Sequence, residues 1–208
     1  MVARLLLARH GQTEWHAENR YAGSSDVALT EEGLRQADEL AGFAAAAGPS
    51  AVFCSPQSRA RRTAEPSAKA LGLPLQVVDE LHEVHFGQME GRTRAELAEA
   101  DPAAAARFLA DPVSGAFPGS EPPADAAARG AGALRGIAAE VPGETVLVVA
   151  HNTLIRLTLC ALLGIPLETY RTVFPRLDNA AVTEIEIDGT RTGLLRLNQP
   201  ARTRYWTT

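Results

Sequence analysis

Three pieces of this chain place cationic or proton-exchanging side chains directly after a run of apolar residues. Arg9-His10-Gly11 follows "LLLA", Arg59 comes a turn beyond "AVFCSP", and His151-Asn152 follows "TVLVVA". In open α/β sheets, ligands gather beyond the carboxyl ends of parallel strands. The two arginines and two histidines are therefore predicted to converge at one sheet edge. Gathering like charges away from water is costly unless an anion neutralises them, so the cluster predicts an anionic ligand. Arginine offers a planar fork suited to phosphate or carboxylate, and Gly11 lets the backbone approach closely. With the N-terminus of a helix starting near Asn152 added, a multiply charged group such as phosphate fits best.

A histidine in such a cluster could be a ligand for the anion or a nucleophile. Arg9 and Arg59 disfavour the imidazolium form, which keeps one ring nitrogen free to attack phosphorus, and they would stabilise the equatorial oxygens of a phosphoryl group in transfer. That chemistry also needs an acid for the departing oxygen. Glu83, in "ELHEVHFGQMEG", sits beside apolar Leu81, Val84 and Phe86, a setting that raises a carboxyl pKa and keeps a proton on it. Glu80 and Glu90 compete for the role on composition alone. Taken singly, His10 and His151 each read as a satisfied core histidine; their company with Arg9 and Arg59 at matching strand ends sets them apart. His82 reads as a surface residue, Trp15 and Tyr21 as packing, and Arg61 and Arg62 as a solvated helix face whose Arg62 could rim the pocket.

The elements that must carry these residues alternate. Residues 3–8, 51–54 and 145–150 read as strands buried on both faces, each followed by a helical pattern. One helix opens at Thr30 as N-cap and closes at Gly48; the others end at Gly72 and at Gly164, with Pro166 just beyond. This order predicts an α/β three-layer sandwich, a mostly parallel central sheet with helices on both faces. Residues 93–143 are Ala-rich, with "ADP" twice and "FPGSEPPADAAARG" between, and read as helices and an irregular loop forming a lid within a single 1–208 domain. Two alternating runs around Asp188-Gly189 predict a hairpin, and the final ten residues a peripheral tail.

With a net charge of −5 over 208 residues, no overall basic field draws the chain to nucleic acid or to an anionic membrane. Cys54 and Cys160 sit in apolar stretches without metal-ligand spacing, and no apolar run reaches membrane-spanning length. The expectation is a cytoplasmic protein that binds no membrane, with a homodimer left open.

In this arrangement the residues resemble the histidine phosphatase superfamily, which includes the cofactor-dependent phosphoglycerate mutases. The ordered set "RHGQTEW", "LTEEGLRQA", "SPQSRARRTAE", "EVHFGQMEG" and "VAHNTLIR" carries the resemblance across nearly the whole chain. It implies that His10 becomes a phosphohistidine and that Arg9 and Arg59 clamp the phosphate. It makes His151 the second pocket histidine, and Glu83 the general acid that later activates water. Gln12 and Thr13 fall in the phosphate-side loop. The family needs no metal, no cofactor is expected for this chain, and the implied partner is a small phosphorylated metabolite.

Three positions depart from the family pattern. His16 stands where the family usually has an asparagine that donates to the phosphate; histidine can also donate, with a new pH dependence between about pH 5 and 8. Asn152 stands where glycine is frequent, and Met89 where a bulkier residue is common. After the acid, the mutases typically have Arg-His-Tyr-Gly, whereas this chain has Val84-His85-Phe86-Gly87. The reading is a metal-independent phosphomonoesterase, with a mutase-type phosphotransferase and a non-catalytic phospho-ligand module as its rivals.

Overall fold

The computed structural model describes residues 1–201; beyond residue 201 the expected tail lies outside the described residues. Strand β1 (Ala3–Arg9) is followed by α1 (Glu31–Ala47), β2 (Ala51–Cys54), α2 (Ser58–Leu71) and the short β3 (Leu75–Val77). Then come α3 (Arg94–Ala100), α4 (Pro102–Ala110), α5 (Pro123–Glu140), β4 (Thr145–Ala150), α6 (Asn152–Leu163), α7 (Tyr170–Val173), β5 (Val182–Asp188) and β6 (Arg191–Gln199). The sheet runs β3-β2-β4-β1-β5-β6. The first four strands are parallel, and the β5–β6 hairpin closes one side antiparallel.

The period of two in β1 divides the core. Leu6 and Ala8 face one layer with Leu40, Phe43, Ala60 and Ala64 of α1 and α2. Leu5 and Leu7 face the other, with Ala127, Leu134, Leu154 and Leu157 of α5 and α6. Strands β1, β2 and β4 contribute to both layers and are covered on both sides, which explains their apolar runs. The helix ends follow the sequence: Thr30 Oγ1 accepts from Gly33 N–H at 3.0 Å, and Gly48, Gly72 and Gly164 close α1, α2 and α6 in the left-handed region.

The segment 93–143 divides. Helix α5 packs against α6 so closely that a Cβ at Gly130 would stand 2.0 Å from Thr158 Oγ1, and its Ala126, Ala127 and Ala131 belong to the main core. It is a layer of the sandwich, whereas residues 93–122 carry the short helices α3 and α4 and reach the same core through Leu97, Ala104, Phe108 and Phe117. Small residues read in sequence as a loose cover, but here they permit close helix packing. Strand β3 has three residues, too few for an alternation to be read. Among the described residues no helix is long and apolar enough to cross a membrane.

Candidate active site

Strands β2, β4 and β1 are adjacent and end level with one another, pairing Cys54 with Val149 and Arg9 with Ala150. The first residues beyond them, Ser55, His151 and His10, therefore stand in a row. The imidazole centroids of His10 and His151 are 5.2 Å apart.

His10 is buried, and its Nδ1 lies 2.7 Å from the Gly11 carbonyl. A carbonyl only accepts, so Nδ1 carries the ring proton and Nε2 keeps its lone pair. Burial, then Arg59, then Arg9, hold the His10 pKa well below the ordinary histidine value. The loop behind it is pressed onto α1 backbone to backbone: a Cβ at Gly11 would stand 2.5 Å from the Gly33 carbonyl oxygen, and one at Gly33 2.1 Å from that of Gln12. Gly11 N–H donates to Thr63 Oγ1 at 2.9 Å.

The two arginines are held by carbonyls. Arg59, 1% exposed, donates to the Ser25, Ala22 and Gly23 carbonyls at 2.8, 3.0 and 2.9 Å. Arg9 donates to the Leu177 carbonyl at 2.8 Å, and burial lowers its pKa to about 10, leaving it charged at neutral pH. The Nε of each arginine and Nδ1 of His151 are buried without a partner among the described residues. Such orphans are rare in folded proteins and ask for an explanation.

Glu83 is buried at the N-terminus of α6. One carboxyl oxygen accepts from Leu154 and Val84 N–H at 2.8 and 2.9 Å, and the other from Thr153 N–H at 3.0 Å. Burial raises its pKa; the three amides and Arg59 oppose that rise without cancelling it. Its rivals go elsewhere: Glu80 is exposed, and Glu90 accepts from Gly23 and Ser25 N–H at 2.9 Å, bracing the loop that holds Arg59.

A cavity of about 570 Å³ opens over this row, its wall including Arg9, His10, His16, Glu83 and Asn152. Arg59 and His151 lie behind that wall. Trp15 and Tyr21, expected as packing, also line the cavity, as do Thr93 and Arg94 from the overhanging segment. Arg62 instead borders a separate surface pocket with Arg61.

Three expectations are corrected. The α6 N-terminus, expected to face the anion, has two of its amides engaged by Glu83. The Gln12 side chain does not reach the cavity, because its Oε1 accepts from Thr30 Oγ1 at 2.8 Å beside the α1 cap. His16 was expected to donate to the anion and to titrate between about pH 5 and 8. Its Nε2 instead accepts from Arg9 Nη2 and faces Asn179 Nδ2 at 3.2 Å, while burial and Arg9 lower its pKa to about 4. Asn152 reaches the wall with its Oδ1 buried and unpartnered.

Asn179 was not foreseen. Its Nδ2 donates to the His10 carbonyl at 2.9 Å, from a loop before an antiparallel strand, where the rule about parallel strand ends gives no signal. The serine after "AVFC" was visible as a strand end, but nothing in its type marked a partner.

Residues 5–200 match the profile of the histidine phosphatase superfamily (branch 1). The chain is 32% identical over 209 residues to a putative phosphoserine phosphatase 2 of Hydrogenobacter thermophilus, covering 99% of this chain and 100% of that one. It is 44% identical over 157 residues to a bifunctional protein of Mycobacterium tuberculosis, covering 75% of this chain but only 43% of that longer relative. Among solved structures, a mycobacterial glucosyl-3-phosphoglycerate phosphatase superposes with a TM-score of 0.86 at 29% identity, over 96% of this chain and 100% of that one.

Proposed function

The chain belongs to the histidine phosphatase superfamily, and from that premise we propose that it is a phosphomonoesterase acting on a small phosphorylated metabolite through a phosphohistidine on His10. One observation carries the reading: a neutral buried histidine with its Nε2 lone pair free, in a site where the Nε–H groups of Arg9 and Arg59 and Nδ1 of His151 are buried without partners among the described residues. A phosphoryl group would supply the missing acceptors and neutralise the two guanidinium charges. Those charges do the work that a metal ion does in other phosphatases.

In the first step the His10 Nε2 lone pair forms the P–N bond as the P–O bond to the leaving group breaks. Glu83, protonated because it is buried, gives its proton to the departing oxygen. In the second step Glu83, now a carboxylate, takes a proton from water as that water attacks phosphorus; the P–N bond breaks, releasing inorganic phosphate and restoring His10. The α6 amides on Glu83 help it to bear charge between the two steps.

Hydrolysis is favoured over phosphoryl retention by the residue after the acid, Val84, which is apolar and buried and offers no cation to hold a substrate carboxylate at that place. Residues 93–122, which bring Thr93 and Arg94 to the cavity, act as the lid that meets the leaving group. The names of relatives, phosphoserine and glucosyl-3-phosphoglycerate phosphatases among them, support a small metabolite as substrate. The test is phosphate release from p-nitrophenyl phosphate, phosphosugars, phosphoserine and phosphoglycerates, with and without chelator, alongside acid-labile labelling of His10. No release from any of them, or full activity in His10→Ala, overturns the reading.

A further inference from the structure

The two ring nitrogens of His151 are in opposite situations. Nε2 lies 2.7 Å from Ser55 Oγ, whereas Nδ1 is buried without a partner among the described residues. Both residues are 0% exposed, so bulk water does not complete their hydrogen bonds. Their meeting follows from strand register: β2 and β4 are parallel neighbours, and Ser55 N–H donates to the Val149 carbonyl at 3.0 Å, which sets Ser55 beside the residue that follows β4.

Neutral imidazole has one proton, and the surrounding groups decide where it sits. Ser55 Oγ accepts from the Gln57 backbone N–H at 3.3 Å. The acceptor that the structure offers to the hydroxyl's own hydrogen is then His151 Nε2. Run in this direction, from Gln57 N–H to Ser55 O–H to His151 Nε2, every hydrogen of the chain is used and the ring proton falls on Nδ1. Run in reverse, the hydroxyl hydrogen is left without an acceptor in a dry environment, which folded proteins avoid. The reverse direction would also leave a bare lone pair on Nδ1, facing away from Ser55.

We propose that Ser55 is a positioning residue that fixes His151 as the Nδ1–H tautomer, making its unpartnered nitrogen a hydrogen-bond donor to the phosphoryl group at His10. The ligand in this statement rests on the phosphatase reading; the tautomer does not. His10 and His151 then share one tautomer but use opposite nitrogens. In His10 a carbonyl takes Nδ1–H and exposes a lone pair for attack. In His151 a hydroxyl takes up the lone pair of Nε2 and frees an N–H for oxygen. A histidine that could swap tautomers would spend part of its time repelling the group it has to hold.

Long-range 1H–15N correlation spectra of the full chain test this directly. In the wild type, His151 should show a protonated Nδ1 and a bare Nε2. In Ser55→Ala the proton should shift towards Nε2 while His10, held by the Gly11 carbonyl, stays unchanged as the internal reference. On p-nitrophenyl phosphate, Ser55→Ala should lower kcat by about 10- to 100-fold with little change in KM, and Ser55→Thr, which keeps the hydroxyl, should recover most of it. Should Ser55→Ala fail to fold, the wild-type spectrum still decides the tautomer. Protonated Nε2 in an active wild type, or Ser55→Ala with tautomer and kcat unchanged, overturns the role of Ser55. A chain that releases no phosphate from any substrate overturns the phosphatase reading and with it the ligand of Nδ1.

Discussion

The floor and the roof of the cavity are built in different ways. The floor is the row of residues at the ends of β2, β4 and β1 together with Arg59 of α2 and Glu83; His10, Arg59 and Glu83 are each fastened by backbone carbonyls or amides. The roof, residues 93–122, rests on two short helices, on the Arg20–Glu96 pair, on a backbone bridge between Phe86 and Ser120 and on a set of rings. In that set Tyr21, Phe86, Phe108 and Phe117 meet edge to face, with Arg171 stacked 4.5 Å over Phe108. The floor's side chains are each fastened through backbone groups, whereas α3 and α4 are held by side chains, Leu97, Ala104 and Phe108 packing on the main core. In the proposed reaction the floor meets the phosphoryl group common to every substrate and gains from rigidity. The roof meets the part that varies.

That contrast predicts that floor substitutions act on kcat for all substrates and roof substitutions act on KM for some. The largest effect belongs to His10→Ala, which removes the proposed nucleophile and should cut phosphate release from every substrate by at least about a thousandfold, measured as initial rates with excess substrate. Equal residual rates in variant and wild type would erase the distinction between floor and roof.

Next comes Glu83→Gln, expected to lower kcat by about a hundred- to ten-thousandfold on alkyl phosphates. The loss should be smaller on p-nitrophenyl phosphate, whose leaving group departs without a proton. The sign of the pH effect follows from burial. The Glu83 pKa is raised, so the acid form persists above the usual carboxyl range, and kcat falls as pH rises through the raised value. A pH–rate profile of the variant should lack that alkaline fall.

Phe108→Ala sharpens the comparison from the other side. Losing a buried ring costs about 3 kcal/mol or more, but here the loss should stay local. Amide exchange should speed up across residues 94–110 and remain slow in β1 and β4, with kcat on p-nitrophenyl phosphate nearly unchanged.

The smallest effect is at His16, on the cavity wall beside Arg9. Its pKa of about 4 lies below the ordinary 6.5. As pH falls from 6.5 to about 4, the unfolded chain takes up a proton that the folded chain refuses, and stability declines. His16→Asn removes this one contribution. Its urea midpoint should drop less between pH 6.5 and 4.5 than that of the wild type.

The same contrast explains what the sequence could disclose. Floor residues follow apolar runs at the ends of parallel strands, so type and position together marked His10, His151, Arg9 and Arg59. Glu83 stood out from Glu80 and Glu90 only by its apolar neighbours, and burial separates the three. The partners of these residues were not legible. Gln12 turns to the α1 cap, Asn179 arrives from a loop more than 160 residues away, and the α6 N-terminus serves the acid rather than the anion. Each depends on which groups meet in space, and spacing along the chain does not encode that. The division of 93–143 was hidden for another reason: an alanine-rich helix is compatible both with a loose cover and with tight packing on α6.

Gly11 and Gly33 leave no side chain between the nucleophile's loop and the first turn of α1. Two side chains in contact can yield by changing rotamer, like a cushion; two backbones cannot. The loop of the proposed nucleophile is thus set directly on α1, a helix of 17 residues, about 25 Å from end to end, that is itself packed into the core through Leu40, Phe43 and Ala44. A shift of the first turn of α1 would therefore reach the loop that carries His10 with no side chain between them to take it up.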